Sequence, residues 1–194
     1  MGQSRCGDYV ELRSRSAFSF LEGASSPEAL AERAAELGYG ALALADRDGL
    51  YGAPRFHQAA RAAGLRAIVG ADVTLVGGTR LLLLAESRTG YRNLSRLLSA
   101  GRRLAPRGAP ACSWQALEEH AAGLVALLRG DASLEPTLLS QVRGLFGERL
   151  WVDVSRHFER GAEAAARRAV ALAGAARVPV VATNDVRCAR PADR

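Results

Sequence analysis

Ser25-Ser26-Pro27-Glu28-Ala29-Leu30-Ala31-Glu32-Arg33-Ala34-Ala35-Glu36-Leu37-Gly38, followed after two residues by Ala41-Leu42-Ala43-Leu44-Ala45-Asp46, writes a helix and a buried strand one after the other. Ser25 and Glu28 have the spacing of a capping box, and Pro27 stands just inside the helix, where its missing N–H costs nothing. Leu30, Ala34 and Leu37 repeat at helical spacing until Gly38 stops the run. The five apolar residues that follow end abruptly at a carboxylate, Asp46.

The same unit recurs in both directions. Upstream, Tyr9 to Leu12 reads as a strand ending at Arg13-Ser14-Arg15, with residues 1–8 as an N-terminal extension. Downstream, Asp46-Arg47-Asp48-Gly49 is a turn, a helix runs from about Pro54 to Ala63, and Ala67 to Val69 is a third strand leading into Gly70-Ala71-Asp72. Val73 to Val76 and Arg80 to Ala85 flank Gly77-Gly78 and predict a hairpin. A helix over Tyr91 to Ala100 turns Leu94, Leu97 and Leu98 inward, and Leu104 to Pro110 reads as a surface loop. Trp114 to His120, Leu134 to Leu145 and Ala162 to Ala176 are helical; Leu124 to Leu128, Trp151 to Val154 and Val178 to Thr183 are strands, the last reaching Asn184-Asp185. Repeated strand–helix units predict an α/β fold with a parallel sheet, open or closed as a barrel, and such folds place their sites at the strand ends. That rule selects Arg13, Arg15, Asp46, Arg47, Asp72, His157, Asp185 and Arg187. One aspartate after a strand is usually a turn or cap residue; recurrence after strand upon strand is what points to a site.

A chain of 194 residues, 48% of them hydrophobic, is long enough for one well-buried domain. The run Leu81-Leu82-Leu83-Leu84-Ala85 is far too short to cross a bilayer, and residues 1–8 lack the apolar segment of a secretory leader, so neither membrane nor export is expected. All 26 basic residues are arginine. Without a lysine amine there is no Schiff-base chemistry, no pyridoxal-phosphate anchor and no P-loop. The net charge of +6 favours an anionic partner such as nucleic acid, although arginine-rich coding accounts for part of it. Cys6, Cys112 and Cys188 form neither a CxxC nor an even set, which fits a reducing cytoplasm rather than a disulfide frame.

Several of these stretches resemble one family. Tyr9-Val10-Glu11-Leu12-Arg13-Ser14-Arg15-Ser16-Ala17-Phe18-Ser19-Phe20-Leu21-Glu22-Gly23 resembles the opening of the polymerase and histidinol phosphatase (PHP) domain, in the form found at the start of bacterial C-family DNA polymerases. Ala43 to Gly52 is similar to the family's Thr-Asp-His segment, with Asp46 kept and Arg47 in the His place. Ile68-Val69-Gly70-Ala71-Asp72 is similar to its Ile-x-Gly-x-Glu segment, Asp72 standing for a ligand Glu. Thr89-Gly90-Tyr91-Arg92-Asn93-Leu94 resembles a stretch typical of the polymerase-attached branch, and the error-prone polymerases are the nearest in pattern. Trp151 to His157 resembles the strand that closes on a ligand His, kept as His157, and Ala182-Thr183-Asn184-Asp185-Val186-Arg187 resembles an Ala-Thr-Asn-Asp-Val-His segment.

The resemblance implies a PHP-type distorted (β/α) barrel over residues 9–194, with truncation at the C-terminus left open. It also implies a site of His, Asp, Glu and Cys that holds divalent zinc, manganese or iron to activate water against a phosphoester. Here Arg13, Arg15, Arg47 and Arg187 occupy four His places, and the segment around Arg129-Gly130 lacks the family's Cys. Imidazole offers a metal a lone pair, whereas guanidinium has only donors and a fixed positive charge. Asp46, Asp72, His157 and Asp185 remain as a vestigial ligand set. The expectation is a catalytically inactive, structural or partner-docking module of an error-prone polymerase, with no cofactor, acting in DNA replication or repair. Its expected partners are the polymerase core or replication and repair subunits, with DNA as a further candidate. In the pocket, the four arginines would pair with Asp46, Asp72 and Asp185. The alternatives are a metal-dependent phosphoesterase with a reduced ligand set, and a phosphate- or nucleic-acid-binding module.

Overall fold

A computed structural model describes residues 9–104, 110–156 and 161–193. Seven strands form one sheet in sequential order: β1 (Glu11–Ser14), β2 (Ala41–Arg47), β3 (Arg66–Thr74), β4 (Arg80–Ala85), β5 (Leu124–Arg129), β6 (Leu150–Val154) and β7 (Val180–Ala182). Six helices, α1 (Pro27–Glu36), α2 (Ala53–Ala62), α3 (Arg88–Leu104), α4 (Trp114–His120), α5 (Pro136–Phe146) and α6 (Ala162–Ala175), connect them. All neighbouring strands are parallel except around β4, which runs antiparallel to both β3 and β5. The two ends of the sheet meet. Ser14 bridges Val186, with Arg15 N–H donating to Val186 O and Val186 N–H to Arg13 O, each at 2.9 Å.

The alternation of side chains along a strand explains how one sheet supports two cores. Leu42 and Leu44 of β2 pack outward with Leu30, Ala31 and Phe56 of α1 and α2. The alternate residues Ala43 and Ala45 point inward against Leu82, Leu84 and Leu127. Leu81 and Leu83 of β4 face the other way, into a large cluster with Leu94 and Leu97 of α3 and Leu117 of α4. Each leucine so buried contributes roughly 1.5–3 kcal/mol relative to exposure. Alternation also carries the inward rows upward into charge. Asp72 sits opposite inward Leu82, Asp153 opposite Val181, and Arg129 opposite Asp153. The barrel is therefore apolar below and ionic at the mouth.

Three local expectations change. The strand at Ala67 to Val69 and the first arm of the hairpin are one nine-residue strand, β3. Gly70 does not interrupt it; a Cβ there would lie 2.5 Å from Leu83 O of β4, so the glycine permits a close strand crossing. The cap of α1 is Ser26, whose hydroxyl accepts from Ala29 N–H at 3.2 Å. Ser25 is diverted into tertiary bonds, accepting from Ala189 N–H and donating to Asp193. The first strand is shifted two residues onward from Tyr9–Leu12, which puts Arg13 inside it. The loop expected at Leu104 to Pro110 lies mostly outside the described residues. No described helix is long and apolar enough to cross a membrane.

Candidate functional site

Every strand delivers a charged group to the barrel mouth. Arg13 lies inside β1 and is fully buried; its Nε donates to Asp153 of β6 and its NH1 lies 3.5 Å from Asp72 of β3. Arg15, equally buried, forks between Glu22 and Asp185, one bond from each terminal nitrogen. Arg80 opens β4, and because that strand runs antiparallel its first residue lies where the other strands end. It donates to Asp72 at 2.8 Å and to both oxygens of Glu22 at 3.2 and 3.1 Å. Arg129 ends β5 and stands 3.6 Å from Asp185, which also accepts from Arg187 at 3.1 Å. Arg47 is half-exposed, 46% in its side chain, and reaches Glu22 at 2.7 Å and Asp48 at 3.6 Å.

Six guanidiniums thus stand among Glu22, Asp48, Asp72, Asp153 and Asp185. The energetics follow from that crowding. Burial works against the charge on Arg13, but Asp153, Asp72 and Asp185 outweigh it, so the proton is held more tightly than in free arginine. Arg80 behaves the same way, its burial overcome by Asp72 and Glu22. Burial also opposes ionisation of Glu22 and Asp185. Arg80 and Arg15 nevertheless bring Glu22 down to about 2, and Arg15 and Arg129 hold Asp185 well below the usual carboxylate range. Arg129 is the exception: burial and then the neighbouring Arg13 push its proton affinity down.

Backbone geometry serves the same end. Asp48 and Asp185 lie at φ 47° and 48°, a left-handed conformation that aspartate tolerates better than most side chains. Leu21 adopts φ 61° at the tip of the loop after β1, 89% exposed, and the reversal turns Glu22 back towards the mouth. Asp48 is anchored by Thr74, accepting from its N–H at 2.6 Å and its hydroxyl at 2.8 Å. Gly52 is required beside Asp46, since a Cβ there would sit 2.7 Å from Oδ2.

Of the residues selected from sequence, Asp72, Asp185, Arg13, Arg15 and Arg187 lie in this network, and Arg47 joins it through Glu22. Among the described residues, Asp46 pairs with no guanidinium. It is buried and accepts from Ser16 N–H at 2.7 Å, from the Ser16 hydroxyl at 2.8 Å and from the Ser19 hydroxyl at 2.8 Å. The serines of the adjacent loop reach it first and satisfy it. His157 lies outside the described residues. Glu22, Arg80, Arg129 and Asp153 are functional-site residues that sequence reading missed. The strand-end rule could have found Arg129, and a buried charge between Val152 and Val154 flags Asp153; Arg80 and Glu22 needed the strand direction and the loop reversal.

Residues 11–178 match the PHP domain family. This chain belongs to the PHP domain family. Its PHP domain is 44% identical over 195 residues to the error-prone DNA polymerase of Anaeromyxobacter sp. (strain K), covering 92% of this chain and 17% of that protein. It is 43% identical over 185 residues to the error-prone DNA polymerase of Pseudomonas aeruginosa, covering 94% and 18%. The chain therefore spans less than a fifth of the length of these curated relatives. Among solved structures, a Bifidobacterium adolescentis protein assigned by inference as a metal-dependent phosphoesterase aligns with a TM-score of 0.68 at 16% identity, over 94% of this chain and 89% of that one. An amidohydrolase from Chromobacterium violaceum with bound sulfate and no metal aligns at 0.59 and 15%, over 92% and 87%. At such identities the likeness establishes the PHP-type barrel and nothing finer.

A divalent ion, which the PHP family implies, does not fit the described donors. Asp72, Asp153 and Asp185 each accept from guanidinium, Asp46 is consumed by serines, and no three described His, Cys, Asp or Glu residues are grouped as a metal site. One acceptor, Asp72 Oδ1, lacks a hydrogen-bond partner among the described residues, as do the donors Arg15 Nε and Arg80 Nε. A cation beside Asp72 would meet Arg13 and Arg80 within the same few ångströms. Each such repulsion amounts to about 4 kcal/mol at 4 Å for an effective dielectric of 20, per unit charge.

Proposed function

We propose that this PHP domain is a catalytically inactive structural and partner-docking module of an error-prone DNA polymerase, working in cytoplasmic DNA replication or repair. The observation that carries the reading is the burial of Arg13 and Arg15 against Asp72, Asp153 and Asp185, a full set of ion pairs where phosphoester chemistry needs lone pairs facing a metal. Arginine supplies the positive charge that keeps these carboxylates buried, so the fold keeps its mouth closed without an ion. Two further facts support docking. The chain corresponds to a small part of relatives named as polymerases, and the rim of the mouth carries Phe20, 82% exposed, beside the exposed Leu21, an apolar tip suited to packing against the remainder of such a protein.

The test is titration of the purified chain with zinc, manganese and ferrous ions by calorimetry, alongside hydrolysis of a generic phosphoester. The expected result is neither stoichiometric uptake nor turnover. Metal-dependent hydrolysis that disappears in Asp72→Ala and Asp185→Ala would establish the phosphoesterase reading instead.

A further inference from the structure

The chain's surplus of positive charge is not at the mouth, where guanidiniums and carboxylates nearly balance. Helix α3, Arg88–Leu104, contains five arginines and no acidic residue, against a net charge of +6 for the whole chain. On a helix of 3.6 residues per turn, Arg88, Arg92, Arg96 and Arg103 fall with Ser95 and Ser99 inside about 100° of arc. The opposite side is committed to the core: Leu94 and Leu97 are fully buried, and Gly101 packs against Cys112, whose Sγ would be 2.6 Å from a Cβ at that position.

Arg88, Arg92, Arg96 and Arg103 are all exposed, and none makes a hydrogen bond or ion pair among the described residues. Arg92, Arg96 and Arg103 line a shallow groove of about 670 Å³ with Ser95, Ser99 and His120. The serines form a low floor, because their hydroxyls turn back to the carbonyls of Tyr91 and Ser95. The long arginines rise above it. Glu86 before the helix and Glu118 and Glu119 on α4 do not line the groove. A like-charged row on one helix face destabilises the helix, and Arg88 opposes the dipole at the first turn. An anion laid along the row would offset that cost.

We infer that the outer face of α3 is a docking surface for the sugar–phosphate backbone of nucleic acid, read without regard to base sequence. The row is about 22 Å long at 1.5 Å per residue, an extended track rather than a pocket for one anion. It offers guanidinium forks matched to phosphate oxygens, and the large apolar side chain exposed beside it on α3 is Tyr91, far less than the apolar face that inserts into a lipid surface. The inference goes beyond the role proposed for the mouth and stands whether or not that mouth is inert.

The experiment uses the full chain and a fluorescently labelled oligonucleotide of mixed sequence, as single strand and as duplex, followed by anisotropy between about 50 and 200 mM salt. Arg92→Gln/Arg96→Gln/Arg103→Gln should weaken binding at least about tenfold and flatten the slope of log K against log salt by about 2–3, at 0.7–0.9 per lost contact. Arg92→Lys/Arg96→Lys/Arg103→Lys keeps the charge and should keep most of the binding, which separates lost contacts from a lost fold. Arg61→Gln/Arg66→Gln/Arg143→Gln removes the same charge from exposed arginines on other faces and should change binding little. An equal loss in that control variant, no salt-dependent binding by the parent, or equally tight α3-dependent binding of polyglutamate would each overturn the inference, the last in favour of an acidic protein partner.

Discussion

The arginines of the barrel mouth and those of α3 are one side chain in opposite surroundings. Arg13 and Arg15 are buried and paired with carboxylates from elsewhere in the chain. Arg92, Arg96 and Arg103 stand in solvent with no such partner among the described residues. At the mouth, removing a charge exposes its partners to a low dielectric, so the cost falls on the fold. On α3 nothing is left behind when a charge is removed, so the cost can fall only on whatever binds there. Charge counted along the chain does not separate these roles; burial and pairing do.

The sharpest way to break this comparison is Arg13→Met. It leaves Asp153 buried without its guanidinium partner and Asp72 with Arg80 alone, and urea unfolding should show a loss of about 3–5 kcal/mol. Arg13→Met/Asp153→Leu should recover much of that loss, since both ends of one buried pair are then apolar. A loss under about 1 kcal/mol for the single change would mean that water compensates the mouth, making it no different in kind from the surface.

Asp46→Ala comes next. It strands the Ser16 N–H and two serine hydroxyls in a buried loop and should cost about 1–3 kcal/mol by thermal or chemical denaturation. Asp46→Asn should cost less, because an amide oxygen still accepts.

Acid should loosen the mouth and leave α3 untouched. Glu22 falls from an ordinary 4.5 to about 2 on folding, and Asp185 is depressed as well. Glu22 therefore contributes stability that is fully present above about pH 4.5 and is lost as pH falls towards 2, and the contribution of Asp185 is lost at still lower pH. Glu22→Gln should lower stability at neutral pH and flatten the fall over that window; an unchanged acid limb would show that Glu22 is not held by Arg80 and Arg15. Smallest of all, Arg92→Gln and Arg96→Gln should each leave stability within about 0.5 kcal/mol of the parent, measured in the same urea series.

Local pattern determined much of this protein. Alternation and helical spacing depend on residues a few positions apart, so the strands, most helices and the polar strand ends were legible, including Asp72, Asp185 and the arginines at 13, 15, 47 and 187. The resemblance to PHP domains was legible for the same reason, since it rests on short contiguous segments. Which acid meets which base was not. Asp46 and Asp185 look alike in the chain, each ending a strand before a turn. Tertiary structure gives Asp46 to Ser16 and Ser19, and gives Asp185 to Arg15, Arg129 and Arg187. Arg80 enters the mouth only because β4 runs backwards, and Glu22 only because the chain reverses at Leu21. Arg13 lies 140 residues from the Asp153 it holds. Pairing over such separations is set by strand order, direction and register, which no window of sequence contains. The fate of the positive charge follows from the same cause: spacing marks α3 as amphipathic, but only the packed barrel decides that Arg102 is taken up by Tyr51 and Asp48 while Arg92, Arg96 and Arg103 keep no partner among the described residues.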